Sequence, residues 1–329
     1  MELNSKTIFI NLGAFNELYL DLMISNCLSN AEFPDRIKIG LFLHDSHGLK
    51  EDLSAYSKNL KVGYFDYPAA LGCCIGREMA HAFYDGEDYY LQLDAHMLFQ
   101  KNWDTILINK FEKIKLKYPK PVISYYVPWW AVKQNGKFFA YSSDIKTFHN
   151  GGMKFDVEDS LRAKYPKPTG DYTKWEEIPE GYIEHHQIAG HFIFSDPSVF
   201  DEVRPDTTIM FGPEESLLAL RLWTRGYRIF AINEPVVWHL NKGYNNVNPY
   251  MRRSAYFKTD ELAKHYFDKN HRALKKSRKI FTGEYTGYWG APNMELLAAY
   301  EHAAKLSYKE YFRLLDERYP NDPPESRML

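Results

Sequence analysis

The stretch Asp88-Tyr89-Tyr90-Leu91-Gln92-Leu93-Asp94-Ala95-His96 decides how the rest of the chain is read. It is a short, mostly apolar run that ends on an acid, the pattern of a buried strand. Residues two apart on a strand point to the same face, so Asp94 and His96 can converge on one ion. A carboxylate paired with an imidazole suits Mn2+ or Co2+ better than Ca2+. By spacing alone the pair is equally well a capping Asp and a packed His. Its position at the end of an apolar strand favours a ligand role, because ligands of α/β sheets sit at the carboxyl ends of strands.

Working outward from this strand, apolar runs alternate with helical stripes. Strands are expected at Thr7–Leu12, Ile37–Leu43, Leu60–Phe65, Val122–Val127, His191–Ser195 and Tyr227–Ile232. Helices are expected at Asn16–Ala31, Gly72–Tyr84, Trp103–Tyr118 and Glu214–Arg225, the last closed by Gly226. Such alternation implies βαβ units, an α/β class and a mostly parallel, Rossmann-like sheet. Periodicity fades over 128–184, which holds Trp129-Trp130, Gly151-Gly152 and several prolines; an irregular stretch this long is usually functional. We expect one domain over 1–250 with that irregular insert on its acceptor side, and a basic, mainly helical extension over 251–329 packed against it.

Composition bounds the rest. With 329 residues, 45% of them apolar and 26% charged, the chain has the makeup of an ordinary globular protein able to bury a core. Aromatic residues reach 16%, which suits a thick aromatic core or the handling of flat rings and sugar faces. No run approaches the roughly 18 apolar residues of a membrane span, and the opening Met1-Glu-Leu-Asn-Ser-Lys6 is unlike a secretory leader. Three cysteines, Cys27, Cys73 and Cys74, lack CxxC spacing and argue against a disulfide framework or structural zinc. The expectation is a cytoplasmic chain without a membrane partner. Between Arg252 and Lys279 stand ten Lys or Arg against three acids, either the solvated face of a helix or a contact for a polyanion.

A metal held by Asp94 and His96 needs further donors, and His185, His186, His191 and His239 are candidates. Arg77 follows the Gly72–Gly76 turn, where a guanidinium and helix N–H groups could both meet a phosphate. It could as well form a surface ion pair. No Walker loop or dinucleotide fingerprint accompanies it. Glu214 and Glu215 follow Gly212-Pro213 and suit a helix start, which is their plain structural role. Glu214 is also a candidate carboxylate for chemistry.

Several fragments, in order, carry a family resemblance. They are Ile8-Phe-Ile-Asn-Leu-Gly-Ala-Phe15, Gly86-Glu-Asp-Tyr-Tyr-Leu-Gln-Leu-Asp-Ala-His96, Ala189-Gly-His-Phe-Ile-Phe194, Phe211-Gly-Pro-Glu-Glu-Ser-Leu-Leu-Ala-Leu-Arg-Leu-Trp223 and Val236-Val-Trp-His239. A later one is Gly287-Tyr-Trp-Gly-Ala-Pro-Asn-Met-Glu-Leu-Leu-Ala-Ala-Tyr300. The chain resembles the A-type-fold glycosyltransferases, above all the cytoplasmic N-acetylglucosaminyltransferases that modify hydroxyproline. More distantly it is similar to the polypeptide N-acetylgalactosaminyltransferases.

That resemblance implies a nucleotide-diphospho-sugar transferase fold and a retaining transfer from a UDP-sugar donor. It implies that Asp94, His96 and His239 hold Mn2+ or another divalent cation, and that Glu214 is the catalytic carboxylate. It places Phe15 and Arg77 near the uridine or diphosphate, with Asp94, Gly190 and His191 also at the donor; Arg221 and Trp223 match structural positions. The chain departs from the pattern at His191 and Pro213, where the mucin-type family has Gly, and at Asn16-Glu17, where an Arg-Asp-like pair is usual. The expected acceptor is a protein hydroxyl of Ser, Thr or hydroxyproline. Hydroxymethylated DNA is the alternative that the basic segment motivates, with Trp129-Trp130 available to stack a base or sugar. A metal-dependent nucleotide-sugar binder without turnover is the non-enzyme alternative.

Overall fold

A computed structural model describes residues 5–17, 19–44, 52–65, 72–132, 138–140, 179–185, 188–209, 214–223 and 225–240, together with Arg272. The first half opens with β1 (Ile8–Phe15), α1 (Leu20–Asn30), β2 (Ile37–His44), β3 (Leu60–Phe65), α2 (Cys73–His81) and β4 (Tyr89–Asp94). It continues through β5 (Met97–Phe99), α3 (Trp103–Lys115), β6 (Pro121–Ile123), β7 (Trp129–Val132) and β8 (Phe138–Ala140). The second half holds β9 (Tyr182–His185), β10 (Phe192–Ser195), α4 (Ser198–Glu202), α5 (Glu214–Trp223), β11 (Arg228–Ile232) and β12 (Val237–Leu240).

Among the described residues, eight strands form the main sheet in the order β3-β2-β1-β4-β10-β6-β11-β9. The first four run parallel, as the βαβ reading requires, while β10 is antiparallel to both β4 and β6 and β9 is antiparallel to β11. A smaller sheet, β5-β12-β7-β8, adjoins the end of β4. The main strands read as near-continuous apolar runs because both faces are covered. On one face Ile8, Ile10 and Leu12 pack with Leu20, Ile24, Leu107 and Phe111 of α1 and α3. On the other, Phe9 and Tyr90 pack with Cys74 of α2, Phe200 of α4 and Leu217 of α5.

Helix α2 sits unusually close to the sheet, and glycines explain it. A Cβ on Gly13 of β1 would lie 3.1 Å from the Gly76 carbonyl carbon and 3.3 Å from the Arg77 nitrogen. A Cβ on Gly40 of β2 would come within 2.7 Å of the Ala80 carbonyl oxygen. Gly72, with φ +100, turns the chain into α2 in a conformation that suits glycine.

Several expectations need correcting. Strand β1 runs on to Phe15, and α1 begins at Leu20 rather than Asn16. Asn16 takes a left-handed conformation (φ 50) and donates its N–H to the His44 carbonyl, which breaks the helix there. Helix α2 starts at Cys73, so Arg77 stands in its second turn and not at its N-terminus. The span 128–184 contains β7, β8 and most of β9 instead of being wholly irregular, and β6 ends at Ile123, not Val127. Residues 141–178 and, apart from Arg272, the whole of 251–329 with its basic segment lie outside the described residues.

Candidate active site

The carboxyl end of β4 delivers Asp94, and the turn after it delivers His96. Directly beyond lies β5, which pairs antiparallel with β12 so that Met97 faces His239. That register brings a histidine 143 residues away in sequence to the side of His96. His239 Nε2 lies 3.0 Å from His96 Nε2 and 3.3 Å from Asp94 Oδ2, while His96 Nε2 is 3.8 Å from the same oxygen. All three donor atoms fall within 4.8 Å of one another. Neighbouring donors each about 2.1 Å from one octahedral ion stand about 3 Å apart, so the trio fits a divalent cation. Burial pushes the Asp94 carboxyl up, but the His239 hydrogen bond and the His96 and Arg77 charges outweigh it and hold the group well below its usual range.

The ring of His96 is fixed from behind. Its Nδ1 is 2.9 Å from Glu17 Oε1, a buried pairing that assigns the proton to Nδ1 and leaves Nε2 with its lone pair toward the trio. The His96 carbonyl accepts the Trp130 indole N–H at 3.1 Å and the Leu240 N–H at 3.1 Å. Trp130 is therefore a fully buried support beneath His96 and offers no face for stacking a base or sugar. The side chain of Trp129 lies outside the described residues.

Arg77, 7% exposed, reaches across from α2. Its Nη2 donates to the Gly190 carbonyl at 2.9 Å and stands 3.4 Å from Asp94 Oδ1. The same carbonyl accepts Gln92 Nε2 at 2.7 Å. The Gly190 N–H donates to Glu215 Oε1 at 2.6 Å, and Glu215 Oε2 accepts the Tyr126 hydroxyl. A Cβ on Gly190 would lie 3.1 Å from Arg77 Nη2 and 3.3 Å from Glu215 Oε1, so any larger residue would press both groups out of their places. Burial first, then the neighbouring Glu214 charge, push the Glu215 carboxyl up to about 7.

Glu214 opens α5 and accepts the Cys73 thiol at 3.5 Å, while its buried Oε2 has no protein partner. His191 wedges between Tyr126 and His239, with ring centroids 5.1 and 4.7 Å away, and its buried Nε2 also lacks a protein partner. Burial, helped by the nearby His239, keeps that imidazole neutral. Phe15 stands two residues past the Gly13–Asp94 pairing and sets its ring 4.8 Å from that of His44.

Asp94, His96, His239, Arg77, Gly190, His191 and Glu214 thus gather around the carboxyl end of β4, with Phe15 at the end of the adjoining strand. His185 ends β9, at the edge of the main sheet, and its side chain, like the whole of His186, lies outside the described residues. Arg221 donates to the Arg204 carbonyl at 2.5 Å, a structural contact, and the Trp223 side chain lies outside the described residues. Sequence reasoning gives no site role to Glu17, Gln92, Tyr126 or Glu215. Glu17 had a signal, since it follows a strand's carboxyl end; Glu215 was masked by its ordinary role as a first-turn acid.

Comparison with known proteins bears on the fold and the family. The structure of GalNAc-T7 with UDP, GalNAc and Mn2+ superposes with a TM-score of 0.51 at 15% identity, covering 98% of this chain and 59% of that one. The chain thus spans 59% of the length of that protein. Two structures of S. aureus TarS 1-349, one in complex with UDP, give TM-scores of 0.44 and 0.42 at 12% identity. They cover 84% and 82% of this chain and 72% and 71% of theirs. No curated protein matches the chain by sequence. The likeness to GalNAc-T7 establishes the expected α/β fold, that of an A-type nucleotide-sugar transferase. The family model for glycosyltransferase (GlcNAc) spans residues 42–284, from the end of β2 past the last of the metal-ligand candidates. With that match over well more than half its length, and with that fold, the chain belongs to the glycosyltransferase (GlcNAc) family.

Proposed function

We propose that this chain is a metal-dependent glycosyltransferase that moves a sugar, with N-acetylglucosamine as the first choice, from a UDP-sugar to an acceptor hydroxyl with retention. The observation that carries the reading is the convergence of Asp94, His96 and His239 within 4.8 Å at the carboxyl end of β4, beside Arg77. These three side chains would hold Mn2+ or another divalent cation. Such an ion supplies positive charge that favours departure of a diphosphate. The family description supports the choice of sugar. The acceptor we assign is a protein Ser, Thr or hydroxyproline hydroxyl, from the sequence resemblance to hydroxyproline-modifying transferases.

The chain's own residues serve distinct steps. Breaking the bond between sugar C1 and the diphosphate oxygen leaves negative charge on UDP. Arg77, buried and anchored on the Gly190 carbonyl, is placed to stabilise that charge as it develops without having to reorganise. The Glu214 carboxylate, whose Oε2 has no protein partner, orients the incoming hydroxyl and offsets the positive charge of an oxocarbenium-like transition state. The new bond forms between C1 and the acceptor oxygen on the face the diphosphate leaves, and the departing phosphate oxygen takes the acceptor's proton. Gly190 leaves room for Arg77 and Glu215 beside the donor, His191 meets the sugar with a neutral imidazole, and Phe15 lies on the side of the base.

The test is nucleotide release from a panel of UDP-sugars, UDP-GlcNAc first, with Mn2+ and hydroxyproline- or Ser/Thr-containing peptides. Release that depends on Mn2+, and that chelator or Asp94→Ala abolishes, is the expected result. UDP binding without release from any donor would instead make the chain a nucleotide-sugar binder. No UDP binding by the folded protein would end the glycosyltransferase reading.

A further inference from the structure

We infer that Glu215 is the positioning residue of this site, acting through the backbone of Gly190 to hold Arg77 against Asp94. The inference rests on the sugar-transfer reading above and goes beyond it to a residue which that reading does not use. Glu215 accepts hydrogen bonds from two separate parts of the chain, the Tyr126 hydroxyl beyond β6 and the Gly190 N–H in the turn before β10. The other face of the same residue, the Gly190 carbonyl, takes the Arg77 guanidinium and the Gln92 amide. The two groups belong to the peptides on either side of the Gly190 Cα, so a hydrogen bond on each restrains rotation at this glycine. Arg77 is thereby held 3.4 Å from Asp94. His191 is the next residue along, so its ring also takes its place beside His239 from this clamp.

Adjacent acids at a helix start are commonplace, yet the two here diverge. Glu214 faces Cys73 with one oxygen lacking a protein partner, whereas both oxygens of Glu215 are taken by protein donors. A carboxylate whose two oxygens are occupied has little left to offer a substrate, which separates positioning from direct chemistry. Because Arg77 answers charge that appears only as the diphosphate departs, loosening it should reduce kcat more than donor binding.

The experiment compares Glu215→Ala, Glu215→Gln and Tyr126→Phe in the full chain. Glu215→Ala should lower kcat by about 10- to 100-fold while the donor KM moves less than about threefold. Glu215→Gln, whose amide can accept from Gly190 and donate to the Tyr126 oxygen, should restore kcat to within about fivefold of wild type. Arginine side-chain NMR without donor gives a readout independent of turnover. Arg77 should show slow guanidinium rotation in wild type and Glu215→Gln, and fast rotation in Glu215→Ala. An Arg77 that stays immobilised in Glu215→Ala, or a Glu215→Gln enzyme as inactive as the alanine variant, overturns the inference, the second because it would make the carboxylate itself a reacting group. Should Glu215→Ala not fold, Tyr126→Phe decides: a lower kcat at constant KM supports the clamp, and an unchanged kcat overturns it. Wild-type protein that turns over no donor would refute the proposed activity, while the NMR comparison would still judge the clamp.

Discussion

Glu17 is the residue where a departure from the family pattern acquires a physical meaning. In place of the usual Arg-Asp-like pair, the chain puts Asn16 in a left-handed turn and aims the next side chain inward, 8% exposed, at His96 Nδ1. A carboxylate behind a ligating imidazole fixes its tautomer and raises its basicity, and loss of such a partner usually costs 10- to 100-fold in metal affinity. The same loss is expected here. Glu17→Ala should weaken Mn2+ binding by about 10- to 100-fold, read by calorimetry with the metal alone. Unchanged affinity would mean that Trp130 and the β5–β12 pairing orient His96 without help. Sequence alone flagged Glu17 as unusual but could not say what it faced. The pairing spans 79 residues, and no local pattern encodes a contact made by two strand ends.

At the scale of elements, the connection from α1 to β2 is tied to α3 by one buried acid. Asp104, fully buried, accepts the N–H groups of Glu32 and Phe33 at 2.8 and 3.1 Å and pairs with Arg36 at 2.7 Å. Removing one member of a buried pair strands the other in a poor solvent and costs about 3–5 kcal/mol. Asp104→Ala should therefore lose stability of about that size in urea unfolding, with metal affinity unchanged in the protein that remains folded. A loss under about 1 kcal/mol would show that Arg36 finds water or another partner. These elements were legible because each carried its own signal: mostly apolar runs for β1 to β4, a 3.6-residue stripe for α3, a glycine stop after α5. The small sheet was not. A strand over Glu234–His239 is legible and answers to β12, but β5, β7 and β8 are three or four residues long, too short to show periodicity, and they are defined by pairing across the chain. Hence Asp94 and His96 were suggested by their own spacing, whereas the place of His239 beside them came only from family likeness until the β5–β12 register accounted for it.

Across the whole molecule, the site draws on segments that share nothing but the ends of the central strands. Glu17 follows β1, Arg77 comes from α2, Asp94 ends β4 with His96 just after it, Tyr126 follows β6, Gly190 precedes β10, Glu215 stands in the first turn of α5 and His239 lies on β12. A ligand gripping several of these at once ties the parallel half of the sheet to the antiparallel half and to the small sheet. An unfolded chain holds none of them together, so binding should stabilise the native state by RT ln(1 + [L]/Kd), about 2.7 kcal/mol at a hundredfold excess over Kd. Mn2+ and UDP together should raise the melting temperature more than the sum of either alone, because the leaving diphosphate and the ion share the Asp94–Arg77 end of the site. Asp94→Ala should abolish the Mn2+ contribution and the excess, leaving only a small UDP effect. Additive shifts in the wild type would place the two ligands in separate sites. An undiminished excess in Asp94→Ala would move the metal away from the end of β4, and with it the reading that began at that strand.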